Sequence, residues 1–271
     1  MRLGYSGQAL GGEMPLARIM EIGKQYGMTD CELWPVNALG DGMGYAQRDV
    51  KGVKAIARRE GVAIGCVTMD SAFDGRCVRD PQAYAKALCS AIDAAALLEA
   101  PRVNHYCAEI CRDAAPDYAR LEAYWAEPIK LAEKRGIVLA LENEAHDAVA
   151  TPDKMLALLT YFSSPYFRTN LDATNYYEAG WDGFPDAYEV LKDHIGYVHI
   201  KNARRMPDTG FEYVPLPDGA VNIPGLLTKI AEEKTYDGLI SLEPHTAVEN
   251  VENYYARESA WLRTLQLFSR G

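Results

Sequence analysis

The stretch Ile137–His146, IVLALENEAH, joins an unbroken apolar run to Glu142, Asn143, Glu144 and His146. A run of that kind reads as a strand buried on both faces, and parallel sheets covered by helices are where such strands occur. The acids fall where the strand leaves the core. A carboxylate there is costly unless it is paired or binds a cation. Three later stretches repeat the pattern: Phe167–Asn175 (FRTNLDATN), Ile195–Lys201 (IGYVHIK) and Gly238–His245 (GLISLEPH). Each places one hard-ligand residue near the end of an apolar strand: Asp172, His199 and Glu243.

Strand and helix patterns alternate along the whole chain. Strand-like runs at Arg2–Ser6, Thr29–Trp34, Val62–Met69 and Pro101–Tyr106 precede the four above. Amphipathic stretches between them carry Pro at the first helical turn (Pro81, Pro152) or Gly just past the end (Gly27, Gly61, Gly136). Ala203–Pro217 reads as a long functional loop without regular structure. Eight strand–helix units without a break in composition predict an α/β fold, a closed (β/α)8 TIM barrel forming a single domain over residues 1–271. An open dinucleotide-binding sheet fits less well, because Gly11-Gly12 does not extend to Gly-x-Gly-x-x-Gly.

The net charge of −10 argues against nucleic acid or an anionic membrane as partner. No apolar run approaches a membrane span, and the first residues lack a signal-type core, so a cytoplasmic location is expected. Cys107 and Cys111 lack the second ligand pair of a structural zinc site.

In a barrel the strand ends converge on one rim. Glu142, Asp172, His199 and Glu243 come from neighbouring strands there and can surround one point. Singly, each has a plainer reading: a rim salt bridge for a Glu, a helix cap for the Asp, a hydrogen-bonded core residue for the His. Their joint recurrence at matching depth outweighs those readings. Three carboxylates and an imidazole form a hard site suited to one divalent metal ion, Mn²⁺ first, with Mg²⁺, Co²⁺ or Zn²⁺ as alternatives.

The pieces CELW, LALEN, NLDATN, YVHIKN and the closing YDGLISLEPH resemble the xylose isomerase-like barrel superfamily of sugar isomerases and epimerases, with the ketose 3-epimerases as a branch. The resemblance implies that Glu142, Asp172, His199 and Glu243 bind the metal. It also implies that Glu142 and Glu243 are the acid/base pair for a ketose or keto-sugar. The reaction expected is proton abstraction next to a carbonyl through a metal-stabilised enediolate.

The chain departs from that pattern at Asn175, where many epimerases carry His, and at Asn202, where Asp is usual. Glu144 and His146 resemble instead the metal-dependent lyases of the superfamily. An inosose-type dehydratase or 3-keto-glycoside β-eliminase, with His146 as catalytic base, is therefore the alternative. Candidate substrate contacts are Trp34, Glu32, Asp70, His105, Glu144, Asn175, Lys201, Arg205 and His245, with Tyr5, Asn104 and Arg204 as further rim positions. An abasic-site endonuclease on the same scaffold calls for more than five histidines and a less acidic surface. The expected partner is a small sugar or keto-sugar, and the apolar stripe of Val251–Phe268 leaves room for a homo-oligomer.

Overall fold

The computed structural model describes residues 1–11, 14–38, 45–69, 80–108, 112–113, 116–207 and 210–269. Seven strands precede a hairpin: β1 (Arg2–Ser6), β2 (Asp30–Leu33), β3 (Ala63–Thr68), β4 (Arg102–His105), β5 (Val138–Glu142), β6 (Phe167–Asp172) and β7 (Ile195–Ile200). The hairpin is β8 (Asn202–Met206) and β9 (Gly210–Val214), and β10 (Leu239–Leu242) completes the set. Eight of these close into a barrel in the order β1-β10-β7-β6-β5-β4-β3-β2, with every pairing parallel.

Helices cover the outside: α1 (Leu16–Gln25), α2 (Val50–Glu60), α3 (Pro81–Leu98), α4 (Tyr118–Arg135), α5 (Pro152–Phe162), α6 (Ala173–Ala179), α7 (Tyr188–Leu191), α8 (Ile223–Glu233) and α9 (Val248–Thr264). Their starts are written locally. Asp49, Asp80, Asp117, Thr151 and Asn222 each accept a backbone N–H of the first turn. The apolar stripe of α9 and of the residues after it mostly faces inward: Val251, Tyr255 and Leu262 are buried, and Trp261, Leu265 and Phe268 pack on the core. Among the described residues, no helix is long and apolar enough to cross a membrane.

Two of the differences from expectation bear on the site. The segment read as a loop forms the antiparallel pair β8–β9, with Asn202 opposite Val214 and Met206 opposite Gly210. The sixth strand stops at Asp172, because Asp172 caps α6 by accepting the N–H groups of Thr174 and Asn175 at 2.8 and 2.9 Å.

Side chains alternate along each barrel strand, so residues two apart share a face. Cys66, Ala140, Tyr197 and Leu239 form a small apolar cluster inside the barrel. Two residues further along the same strands stand Thr68, Glu142, His199 and Ser241. The interior therefore changes from apolar to polar on approaching the C-terminal rim.

Candidate metal centre and sugar site

Glu142, Asp172, His199 and Glu243 each offer a ligand atom, and those atoms lie within 4.8 Å of one another. All four residues are buried. His199 Nδ1 is 3.0 Å from Glu142 Oε1 and 3.6 Å from Glu243 Oε2. Lys201, two residues past His199, sets its Nζ 2.8 Å from Asp172 Oδ2 and 2.6 Å from Glu243 Oε2.

Glu32 lies deeper. It was expected at the rim as a substrate contact, but it is fully buried beneath the cluster. Its Oε2 is 2.9 Å from His199 Nε2 and accepts from Tyr197 Oη and Ser241 Oγ, while its Oε1 accepts from Thr68 Oγ1. Glu32 thus grips the far nitrogen of the imidazole. Histidines that bind metals are commonly held this way by an outer carboxylate.

The residues fit a cation on two grounds. Four buried carboxylates (Glu32, Glu142, Asp172, Glu243) face one lysine and one imidazole, and such an excess of buried negative charge is costly. Asp172 Oδ2 is buried without a hydrogen bond, and its contact with Lys201 is an ion pair lacking hydrogen-bond geometry. Burial disfavours the charged form of Glu243, but Lys201 and His199 outweigh it and hold the carboxyl well below its ordinary range. Burial likewise opposes charge on His199, and Glu32, Glu142 and Glu243 override it, raising the imidazole well above its usual value.

Around this centre, Asn104 Nδ2 donates to Glu142 Oε2 at 2.8 Å and fixes that carboxylate. His245 Nε2 is 3.3 Å from Glu243 Oε2. Glu144 and His146 stand partly exposed past the end of β5, with Oε2 and Nδ1 4.0 Å apart. Trp34, on the inward face after β2, donates from Nε1 to Ser6 Oγ and tilts against Tyr106 at 6.3 Å. Tyr106 and Tyr213 were not anticipated. Tyr106 shares the parity of Asn104, a signal the sequence does carry. Tyr213, on β9, stacks on His245 with centroids 4.2 Å apart.

Other expected contacts face elsewhere. His105 is one residue out of step with Asn104, so it points under the helices; its Nδ1 meets Tyr84 Oη at 3.1 Å and its ring packs on Trp125 and Phe167. Burial lowers its pKa to about 3. Tyr5 also faces outward, edge-on to Tyr255. Asn175 sits in the first turn of α6 and donates to Asn143 O at 2.9 Å, serving the backbone. Arg205 turns away from the cluster and donates to Tyr177 O and Glu178 O at the end of α6, where orphan carbonyls need donors. Arg204 pairs with Glu212 across the hairpin. Asp70 lies outside the described residues.

Solved structures share this architecture. A D-allulose 3-epimerase from Methylomonas sp. superposes with a TM-score of 0.78 at 16% identity, covering 98% of each chain. A xylose isomerase-like TIM barrel protein from Mycobacterium smegmatis, in complex with magnesium, gives 0.77 at 18%, over 98% of this chain and 96% of that one. The probable 3-DHS dehydratase AsbF from Bacillus anthracis gives 0.74 at 16%, over 97% and 99%. No curated protein matches the sequence. The family profile described as xylose isomerase-like TIM barrel matches residues 20–265. With a closed eight-stranded barrel, and with that profile spanning nearly all of its length, the chain belongs to the xylose isomerase-like TIM barrel family.

Proposed function

We propose that the protein is a divalent-metal-dependent isomerase or epimerase of a ketose or keto-sugar, with Glu142, Asp172, His199 and Glu243 holding the ion. One observation carries this reading: Glu142 and Glu243 approach His199 Nδ1 from the two ends of a four-strand arc, β5 to β10. A substrate carbon between them has a carboxylate on either side. One carboxylate takes the proton next to the carbonyl, and the other returns a proton from the opposite face. When bound, the divalent ion supplies stabilisation of the negative charge that develops at the carbonyl oxygen. Manganese is the ion we expect, and the same oxygen-rich donors accept Mg²⁺, Co²⁺ or Zn²⁺.

The surrounding groups have matching roles. Asn104 orients Glu142, while Lys201 and His245 hold Glu243 and present donors to substrate oxygens. Trp34 and Tyr106 offer apolar faces to the sugar and keep water from the reacting carbon.

The test is to incubate the Mn²⁺-loaded protein with ketoses and keto-sugars in D2O and follow the products by NMR and mass spectrometry. Deuterium entering next to the carbonyl, with isomerisation or inverted stereochemistry and no unsaturated product, is expected. Undiminished turnover after the metal is stripped contradicts the reading.

A second reading, a lyase on the same scaffold, is favoured by the Glu144–His146 pair open to the mouth beside Glu142. That pair offers an acid for a departing hydroxyl or alkoxide. Unsaturated products in the same experiment select it.

A further inference from the structure

Between the β8–β9 hairpin and α9 lies a cavity of about 320 Å³. It shares two side chains with the carboxylate cluster. Lys201 and His245 both line it, and through Nζ and Nε2 they reach Glu243 Oε2 at 2.6 and 3.3 Å. A molecule lodged there touches the edge of the centre. The Tyr213–His245 stack forms one side. On the other, Asn250, Asn253, Tyr254 and Arg257 fall at i, i+3, i+4 and i+7 of α9 and share one face of the helix.

The lining selects its ligand by charge and by hydrogen-bond type. Among the described residues no carboxylate lines the cavity, although the chain carries a net charge of −10, and Glu243 at its edge is already paired with Lys201, so a cation finds little free counter-charge there. The basic groups are already engaged: Lys201 by Asp172 and Glu243, and Arg257 through Nε by Glu258 Oε1 at 2.8 Å. An anion therefore meets little uncompensated positive charge. Asn250 and Asn253 are exposed, and their side-chain amides bond to no other described residue. Amides and phenols both donate and accept, as sugar hydroxyls do. The aromatic rings, with Val214 and Pro215, suit the C–H faces of a pyranose.

We propose that this cavity is a subsite for a second sugar unit, so that the substrate is a keto-glycoside whose reacting ring lies over the cluster and whose other ring lies against α9. The inference rests on reading the cluster as a sugar-transforming centre. Its test is a binding measurement, so a failed turnover screen and a failed subsite give different results.

The full chain is titrated with glucose, glucose 6-phosphate, maltose, cellobiose and trehalose by calorimetry and ligand-observed NMR. At least one disaccharide binds about tenfold or more tightly than glucose, and the Asn250→Ala/Asn253→Ala variant loses that advantage at an unchanged thermal midpoint. Disaccharides that bind no better than glucose overturn the proposal, as does an advantage that survives the double substitution. Glucose 6-phosphate binding more tightly than every disaccharide, and weakened by Arg257→Ala, overturns it in favour of an anion site.

Discussion

Glu32 Oε2 lies 2.9 Å from His199 Nε2, and this contact decides which imidazole nitrogen is left for the carboxylate cluster. With Nε2–H donating downward to Glu32, Nδ1 faces Glu142 and Glu243. Outer partners of ligand histidines are typically worth about 10–100-fold in metal affinity. Glu32→Gln is expected to weaken Mn²⁺ binding within that range, measured by calorimetry. Glu32→Leu is expected to destabilise the fold as well, because the hydroxyls of Thr68, Tyr197 and Ser241 lose their acceptor in the buried interior.

Glu142 and Glu243 act as a pair in the proposed reaction. At saturating Mn²⁺, Glu142→Gln or Glu243→Gln is expected to lower kcat by about 10²–10⁴-fold, the usual range for a lost acid or base. The double variant should fall far short of the product of the two losses, since groups acting as a unit are not additive. Steady-state rates on the active keto-sugar check this. Losses that simply multiply would separate the two residues' roles.

His105 gives the fold a pH signature away from the centre. Burial lowers its folded pKa from 6.5 to about 3, so the unfolded chain takes up the proton first as pH falls. The neutral form's contribution to stability is complete above pH 6.5 and is lost as pH drops towards 3. The slope for one proton is about 1.4 kcal/mol per pH unit. Urea unfolding from pH 7 to 4 should show this extra dependence in the native chain and not in His105→Phe. Equal pH dependence in both would remove the assignment.

Gly183 presses on the backbone of Ala173, the first residue of α6, next to Asp172. An added Cβ meets the Ala173 carbonyl oxygen. Gly183→Ala is expected to cost about 1–3 kcal/mol, as overpacking does, and to weaken metal binding by displacing the capped turn that aims Asp172. Thermal unfolding and Mn²⁺ titration of the same variant test both halves.

The barrel was legible because apolar strands and capped helices alternate with few exceptions. Glu142, Asp172, His199 and Glu243 stood out because each ends such a strand. Inward or outward placement on the first strands was harder to read. Asn104 and His105 are both polar and adjacent, and only the pleat sends one inward and the other under the helices. Glu32 looked like a rim acid because nothing local reveals that Thr68, Tyr197, His199 and Ser241 meet it from three other strands. The hairpin was hidden for a related reason. Its strands are short and only partly buried, so their alternation is written in Arg204, Glu212 and Tyr213 rather than in an apolar face. Tyr213 is hidden with it.

The most direct test is a calorimetric titration of the metal-stripped chain with Mn²⁺, set beside His199→Asn and Asp172→Asn. Asn keeps the cap of α6 at position 172 while removing the charge. One ion per native chain, and loss of binding in both variants with the fold intact, is the predicted result. A native chain that binds no divalent ion, or variants that bind it as tightly as the native chain, would contradict the account.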